Sequence, residues 1–210
     1  MTVQPKGTAT TLIVLLPGAY IAAADFAANG FQDLAAASRP SLELFAADFD
    51  LASIANADAL AVLRNQILVP ARQRGIGRIW LAGISLGGLL ALCHCADTPG
   101  EIDGLCLLSP YPGSRLTARA IADAGGLAGW RPSAEQMRDP EFRVWHWLRQ
   151  PPADLPVFIG YGRADRFADG MARLADCFPA ADRQVVDGGH DWAVWRRSWH
   201  NFLASPVFTA

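Results

Sequence analysis

The sequence predicts an α/β fold: a mostly parallel, six-stranded sheet with helices on both faces. Three observations carry that expectation. Short runs that are apolar from end to end recur along the chain, Leu12–Leu16 and Leu105–Leu108 among them, and strands buried on both faces of a parallel sheet read this way. Each run is followed by a stretch with helical spacing of its apolar residues, so a β-α pair repeats six times. Hydrophobic residues make up 51% and charged ones 18% of 210 residues, enough for a substantial core in one domain and too apolar for a disordered chain.

Thr10–Leu16 reads as the first strand, ended by Pro17-Gly18. Residues 19–30 read as a small-residue loop, followed by a short helix near Phe31–Ser38 that Arg39-Pro40 stops. Leu42–Ala47 is the second strand. Ser53 is placed to cap a long helix toward Gly75, with Ile54, Leu60, Leu63 and Ile67 on one face, and Pro70 should kink it or open a new segment. Asp48 and Asp50 read as loop or capping carboxylates.

Ile79–Ala82 is the third strand and Gly104–Ser109 the fourth. Residues 112–155 hold no strand candidate and read as a cap-like helical insertion within a single domain spanning 1–210. Inside it, Ser133-Ala134-Glu135-Gln136 has the capping-box pattern, and Asp139-Pro140-Glu141 looks like a helix start. Val157–Tyr161 is the fifth strand, followed by a helix with Phe167, Met171, Leu174 and Phe178 on one face. Arg183–Val186 is a short last strand at an edge. Trp192, Trp195, Trp199 and Phe202 recur every three or four residues, a stripe that must dock on the sheet.

The chemistry gathers where strands end, the place where open parallel sheets bind ligands. Gly83-Ile84-Ser85-Leu86-Gly87 lies between the third strand and the helix after it. A serine on so sharp a turn needs small neighbours, because strand and helix nearly touch, and the turn lifts its hydroxyl above the sheet. It also aims the Leu86 amide, at a helix start, toward an oxygen that becomes negative there. A hydroxyl needs a base. Of four histidines, His94 and His146 lie in helices and His200 falls off the tryptophan stripe, whereas His190 follows the last strand in Asp187-Gly188-Gly189-His190. Asp165, just past the fifth strand, is favoured to orient that imidazole, with N-capping as its competing or coexisting role and Asp169 and Asp187 as rivals. A second oxyanion donor should come from Leu16-Pro17-Gly18-Ala19-Tyr20, first the Ala19 amide and then that of Tyr20. Tyr20, Phe26, Tyr111 and Trp145 are candidates to line a substrate pocket, with Trp130 and Trp147 behind them.

The order Ser85, Asp165, His190 on an alternating β-α chain resembles an α/β-hydrolase over essentially Thr10 to Leu203. Gly188-Gly189-His190-Asp191-Trp192-Ala193-Val194-Trp195 is similar to the corresponding segment of esterases of the S-formylglutathione hydrolase and feruloyl esterase type. Asp25-Phe26 with Asn29-Gly30-Phe31 also resembles the loop after their oxyanion segment. The resemblance implies a cofactor-free serine hydrolase acting on a small ester or thioester. It departs from the family in lacking two antiparallel N-terminal strands and in carrying Leu16-Pro17-Gly18 where many members carry His-Gly. Two further readings stay open: a thioesterase or acyltransferase working on acyl-CoA or acyl-carrier substrates, and a non-catalytic binding protein of hydrolase shape. Peptidase and haloperoxidase chemistry also occur on this fold.

Composition narrows the partners. A net charge of −2 without a basic block gives no footprint for nucleic acid or an anionic membrane. The chain shows neither a leader pattern at Met1–Gly7 nor a membrane-length apolar run, so a cytoplasmic protein is expected. Cys93, Cys95, Cys106 and Cys177 read as small buried hydrophobes. Cys93-His94-Cys95 is not expected to hold a metal, because residues two apart on a helix face different ways. Oligomeric state is not legible.

Overall fold

The computed structural model describes residues 2–3, 10–49, 58–178 and 180–209, with backbone alone for 2–3 and 209. The strands run β1 (Thr2–Val3), β2 (Thr11–Leu16), β3 (Leu42–Ala46), β4 (Arg78–Ile84), β5 (Gly104–Leu108), β6 (Val157–Gly162) and β7 (Asp182–Val186). They lie in the order β1-β3-β2-β4-β5-β6-β7. The six strands the sequence predicts are all parallel to their neighbours. Thr2–Val3 adds a seventh, antiparallel to β3, which corrects the six-strand count. Two residues carry too little periodicity to read as a strand; pairing with the open edge of β3 makes them one.

Strand side chains alternate between faces, so one continuous apolar run feeds two cores. Leu12, Val14, Leu16, Leu81, Leu105, Leu107 and Ile159 face one side. Ile13, Leu15, Trp80, Ile84, Cys106, Leu108 and Phe158 face the other. The first core is covered by α3 (Asp58–Val62), a π turn at Leu63–Leu68, α4 (Val69–Gln73), α5 (Leu86–Asp97), α7 (Pro140–Trp147) and α8 (Ala168–Asp176). The second is covered by α1 (Ala23–Ala28), α2 (Phe31–Ser38), α9 (Trp192–Ala204) and α10 (Pro206–Thr209). The tryptophan stripe docks as its spacing requires: Trp195, Trp199 and Phe202 are buried, and the Trp199 indole donates to the Phe31 carbonyl at 3.0 Å.

One local reading changes. Residues 19–30 are not all loop, because α1 forms there: the Asp25 carboxylate accepts the Ala22 amide at 2.8 Å and closes the first turn, while Phe26 is driven into the second core. Pro70 opens a new segment, one of the two outcomes its position predicts. It lies in the first turn of α4, and the π turn before it shifts the pairing so that the Val69 amide reaches Arg64. Ser53, Ile54 and Asp50 lie outside the described residues; Asp48 is an exposed loop residue.

Between β5 and β6 the described residues form α6 (Arg115–Asp123), a 3₁₀ turn at Gln136–Arg138 and α7, and no strand. The capping signals act there as read. Ser133 and Gln136 exchange backbone-to-side-chain hydrogen bonds of 2.9 and 3.1 Å, and Asp139 caps α7 through the Glu141 amide. No helix among the described residues is long and apolar enough to cross a membrane.

His94 is buried in α5, where its ring contacts the Thr98 hydroxyl at 3.2 Å and lies 3.5 Å from Glu101, itself paired with Arg64. Burial pushes its pKa below the ordinary 6.5, and the Glu101 carboxylate only partly opposes that. The unfolded chain therefore takes up a proton before the folded one does. Stability is fully present above the unfolded pKa and is lost as pH falls from about 6.5 through the lower folded value. Urea denaturation between pH 7.5 and 5 should show a steeper loss for the wild type than for His94→Gln; equal slopes would remove His94 as the cause.

Candidate active site

Ser85 stands between β4 and α5, as the residue that precedes the helix, with φ at +51°, a region that a side-chain-bearing residue occupies only under constraint. The constraint is steric. A Cβ on Gly83 would stand 2.3 Å from the Gly87 carbonyl group, and one on Gly87 would stand 2.1 Å from the Leu16 carbonyl oxygen. Strand, helix and the end of β2 therefore pack backbone to backbone. The turn is also tied on both sides: the Ser85 amide donates to Leu108 at 3.1 Å, and its carbonyl accepts from Gly88 and Tyr111, each at 2.9 Å.

The histidine loop rests on the end of β6 in the same manner. A Cβ on Gly162 would meet the Gly188 carbonyl oxygen at 2.4 Å, and the Ala164 amide donates to that oxygen at 2.9 Å. Gly188 has φ at +133°, which turns the chain back over the sheet. Asp191 then caps α9 through the Val194 amide and accepts the Gly189 amide, fixing the far side of the loop.

These two turns bring three side chains into a series. His190 Nε2 lies 2.9 Å from Ser85 Oγ, and His190 Nδ1 lies 2.6 Å from Asp165 Oδ2. A carboxylate only accepts, so Nδ1 carries the proton and Nε2 offers its lone pair to the serine hydroxyl. The other carboxylate oxygen, Oδ1, accepts the Phe167 amide at 2.9 Å, so Asp165 holds the turn before α8 as well as the imidazole. The Asp165 side chain is fully buried and that of His190 is 17% exposed, leaving the imidazole edge within reach of a small molecule. The rivals go elsewhere: Asp187 is exposed and lies 3.5 Å from Arg163, and Asp169 sits in the first turn of α8. His146 and His200 are exposed.

The loop after β2 lies against the serine, since a Cβ on Gly18 would be 3.2 Å from Ser85 Cβ. The Ile21 amide donates to the Gly18 carbonyl, and between them Tyr20 takes φ of +60°. Its side chain is 94% exposed, which puts it in solvent and not in a pocket. Phe26 is also corrected: it is fully buried in edge contact with Phe31 and Trp192. Trp130 is buried against Phe142. Tyr111 and Trp145 do line a cavity of about 930 Å³ beside the site. Ser85 and His190 are not on its wall; Phe167 is, and its ring stands edge-on to His190 at 5.6 Å.

Two neighbours of the imidazole escaped the sequence reading. Phe167 and Trp195 flank it with ring centroids at 5.6 and 5.2 Å, both edge-to-face. Trp195 carries a signal in the stripe, three residues after Trp192, whereas the spacing of Phe167 groups it with a buried helix face. Ser109, a strand end in the sequence, is fully buried with φ at +45°, and its amide donates to Gly160. The buried thiols are poor nucleophiles, because burial pushes Cys93 up to about 12 and Cys106 well above the ordinary value.

Comparison with known proteins matches no family model and no curated protein. Solved structures do match. A serine hydrolase described as fluorophosphonate-binding, FphF from Staphylococcus aureus, superposes with a TM-score of 0.71 at 13% identity, over 97% of this chain and 89% of that one. A ferulic acid esterase gives 0.68 at 14%, over 94% and 84%. The S-formylglutathione hydrolase FrmB of Staphylococcus aureus gives 0.65 at 16%, over 97% and 82%. The chain has the α/β-hydrolase fold.

The steric argument is testable by urea denaturation. Gly83→Ala should destabilise by about 2 kcal/mol or more, because the added methyl must displace backbone. Gly77→Ala, whose Cβ would make an ordinary 3.6 Å contact, should stay within about 0.5 kcal/mol.

Proposed function

We propose that the chain is a serine hydrolase cleaving carboxylic esters or thioesters through an acyl-enzyme on Ser85. One observation carries the reading: the unbroken series from Ser85 Oγ through His190 to the buried Asp165. The names of similarly shaped proteins, which include an esterase and an S-formylglutathione hydrolase, support the ester and thioester classes.

In this mechanism His190 Nε2 takes the hydroxyl proton as Ser85 Oγ attacks the carbonyl carbon. The imidazolium that forms is stabilised by Asp165, and the flanking rings of Phe167 and Trp195 keep it in plane with both partners. The negative oxygen falls to the Leu86 amide, one of the α5 first-turn donors that the helix leaves unpaired, and to the Ala19 or Tyr20 amide across the Gly18 turn. Nε2–H then protonates the departing alkoxide or thiolate. Water, deprotonated by the same nitrogen, attacks the acyl-enzyme and regenerates Ser85. Residues 112–155 serve as a cap over the substrate.

Turnover of p-nitrophenyl butyrate tests the roles separately. Ser85→Ala and His190→Ala should each lower kcat by about 10⁴-fold or more, with the urea midpoint little changed. Asp165→Asn should lower kcat by roughly 10²- to 10⁴-fold. Undiminished turnover in Ser85→Ala would refute the proposal.

A further inference from the structure

The cavity beside the site has a floor and a rim of different chemistry. Ile121 and Trp145 are buried, Phe167 and Tyr111 are half-buried, and together they make an apolar interior next to His190. Arg115, Arg166 and Arg173 also line it and are exposed to solvent. Two carboxylates line it as well. Asp176 is engaged by Arg183 at 2.7 Å, and Asp169 forms no ion pair among the described residues. None of the three arginines is paired with a carboxylate among the described residues; Arg166 lies over the Phe167 ring at 4.7 Å. So a chain of net charge −2 gathers three unpaired cations around one apolar chamber.

Resting on the serine-hydrolase reading, we propose that this chamber selects esters with an apolar segment that ends in a carboxylate. The ester carbonyl sits at Ser85, the apolar segment crosses the floor beside Phe167 and Trp145, and the carboxylate meets the guanidiniums at the mouth. A planar guanidinium binds a carboxylate through paired N–H donors, and the apolar interior leaves the carboxylate no favourable place but the rim. A volume of about 930 Å³ suits a small organic acid and exceeds what an acetyl group fills.

The test compares kcat/KM within two matched series. In the first, mono-p-nitrophenyl esters of straight-chain dicarboxylic acids are set against p-nitrophenyl esters of monocarboxylic acids of equal length. In the second, butyrate esters of a carboxylate-bearing phenol are set against those of its neutral amide. In one series the anionic member should be favoured by at least about fivefold at low salt, and the ratio should shrink at 1 M salt, where charges are screened within about 3 Å. Replacing Arg115, Arg166 and Arg173 together by Gln should bring that ratio to about one, mainly through KM. A ratio at or below one in both series, with the neutral esters still turned over, would overturn this inference alone. No turnover of any ester would overturn it together with the serine-hydrolase reading.

Discussion

Everything at the site depends on how closely three stretches of backbone approach at the end of β4. Gly83, Gly87 and the carbonyls of Leu16 and Pro17 leave no room for a single added carbon. That contact holds Ser85 at a positive φ, a conformation that costs on the order of 1–3 kcal/mol and persists only when its surroundings over-determine it. The cost is met by the apolar packing of β2, β4 and α5, which bury Leu16, Leu81 and Leu90 in one core. A hydroxyl fixed in this way needs no reorganisation in the attack proposed for it.

The partners are held by the same economy of backbone. The His190 loop rests on Gly162 at the end of β6, and Asp165 follows that strand directly. One carboxylate thus joins the His190 imidazole to the start of α8, and one helix, α9, supplies both the Asp191 cap and the Trp195 ring beside the imidazole. Loss of packing between α9 and the sheet would therefore reach the His190 imidazole through Trp195, without any change in Ser85, Asp165 or His190.

Ser85, Asp165 and His190 were legible because each follows a buried strand, and Ser85 and His190 sit among glycines whose small size has a local cause. The parallel sheet was legible from apolar runs for the same reason: burial on both faces leaves a pattern in adjacent residues. What was lost depends on partners distant in sequence. Phe26 lies in a small-residue segment that looks like loop until Phe31 and Trp192 enclose it. The π turn before Pro70 has no composition of its own. The exposure of Tyr20 follows from the φ of its turn, and the chamber rim is assembled from Arg115, Arg166 and Arg173 on two different segments.

The claim that Ser85 is an activated nucleophile can be read directly from covalent chemistry. The native protein is incubated with a fluorophosphonate probe, digested, and the adduct is located by mass spectrometry. A single phosphonyl group on the peptide carrying Ser85, absent when the probe is added to urea-unfolded protein, is the expected result. No adduct, or one on a different residue, would contradict the account.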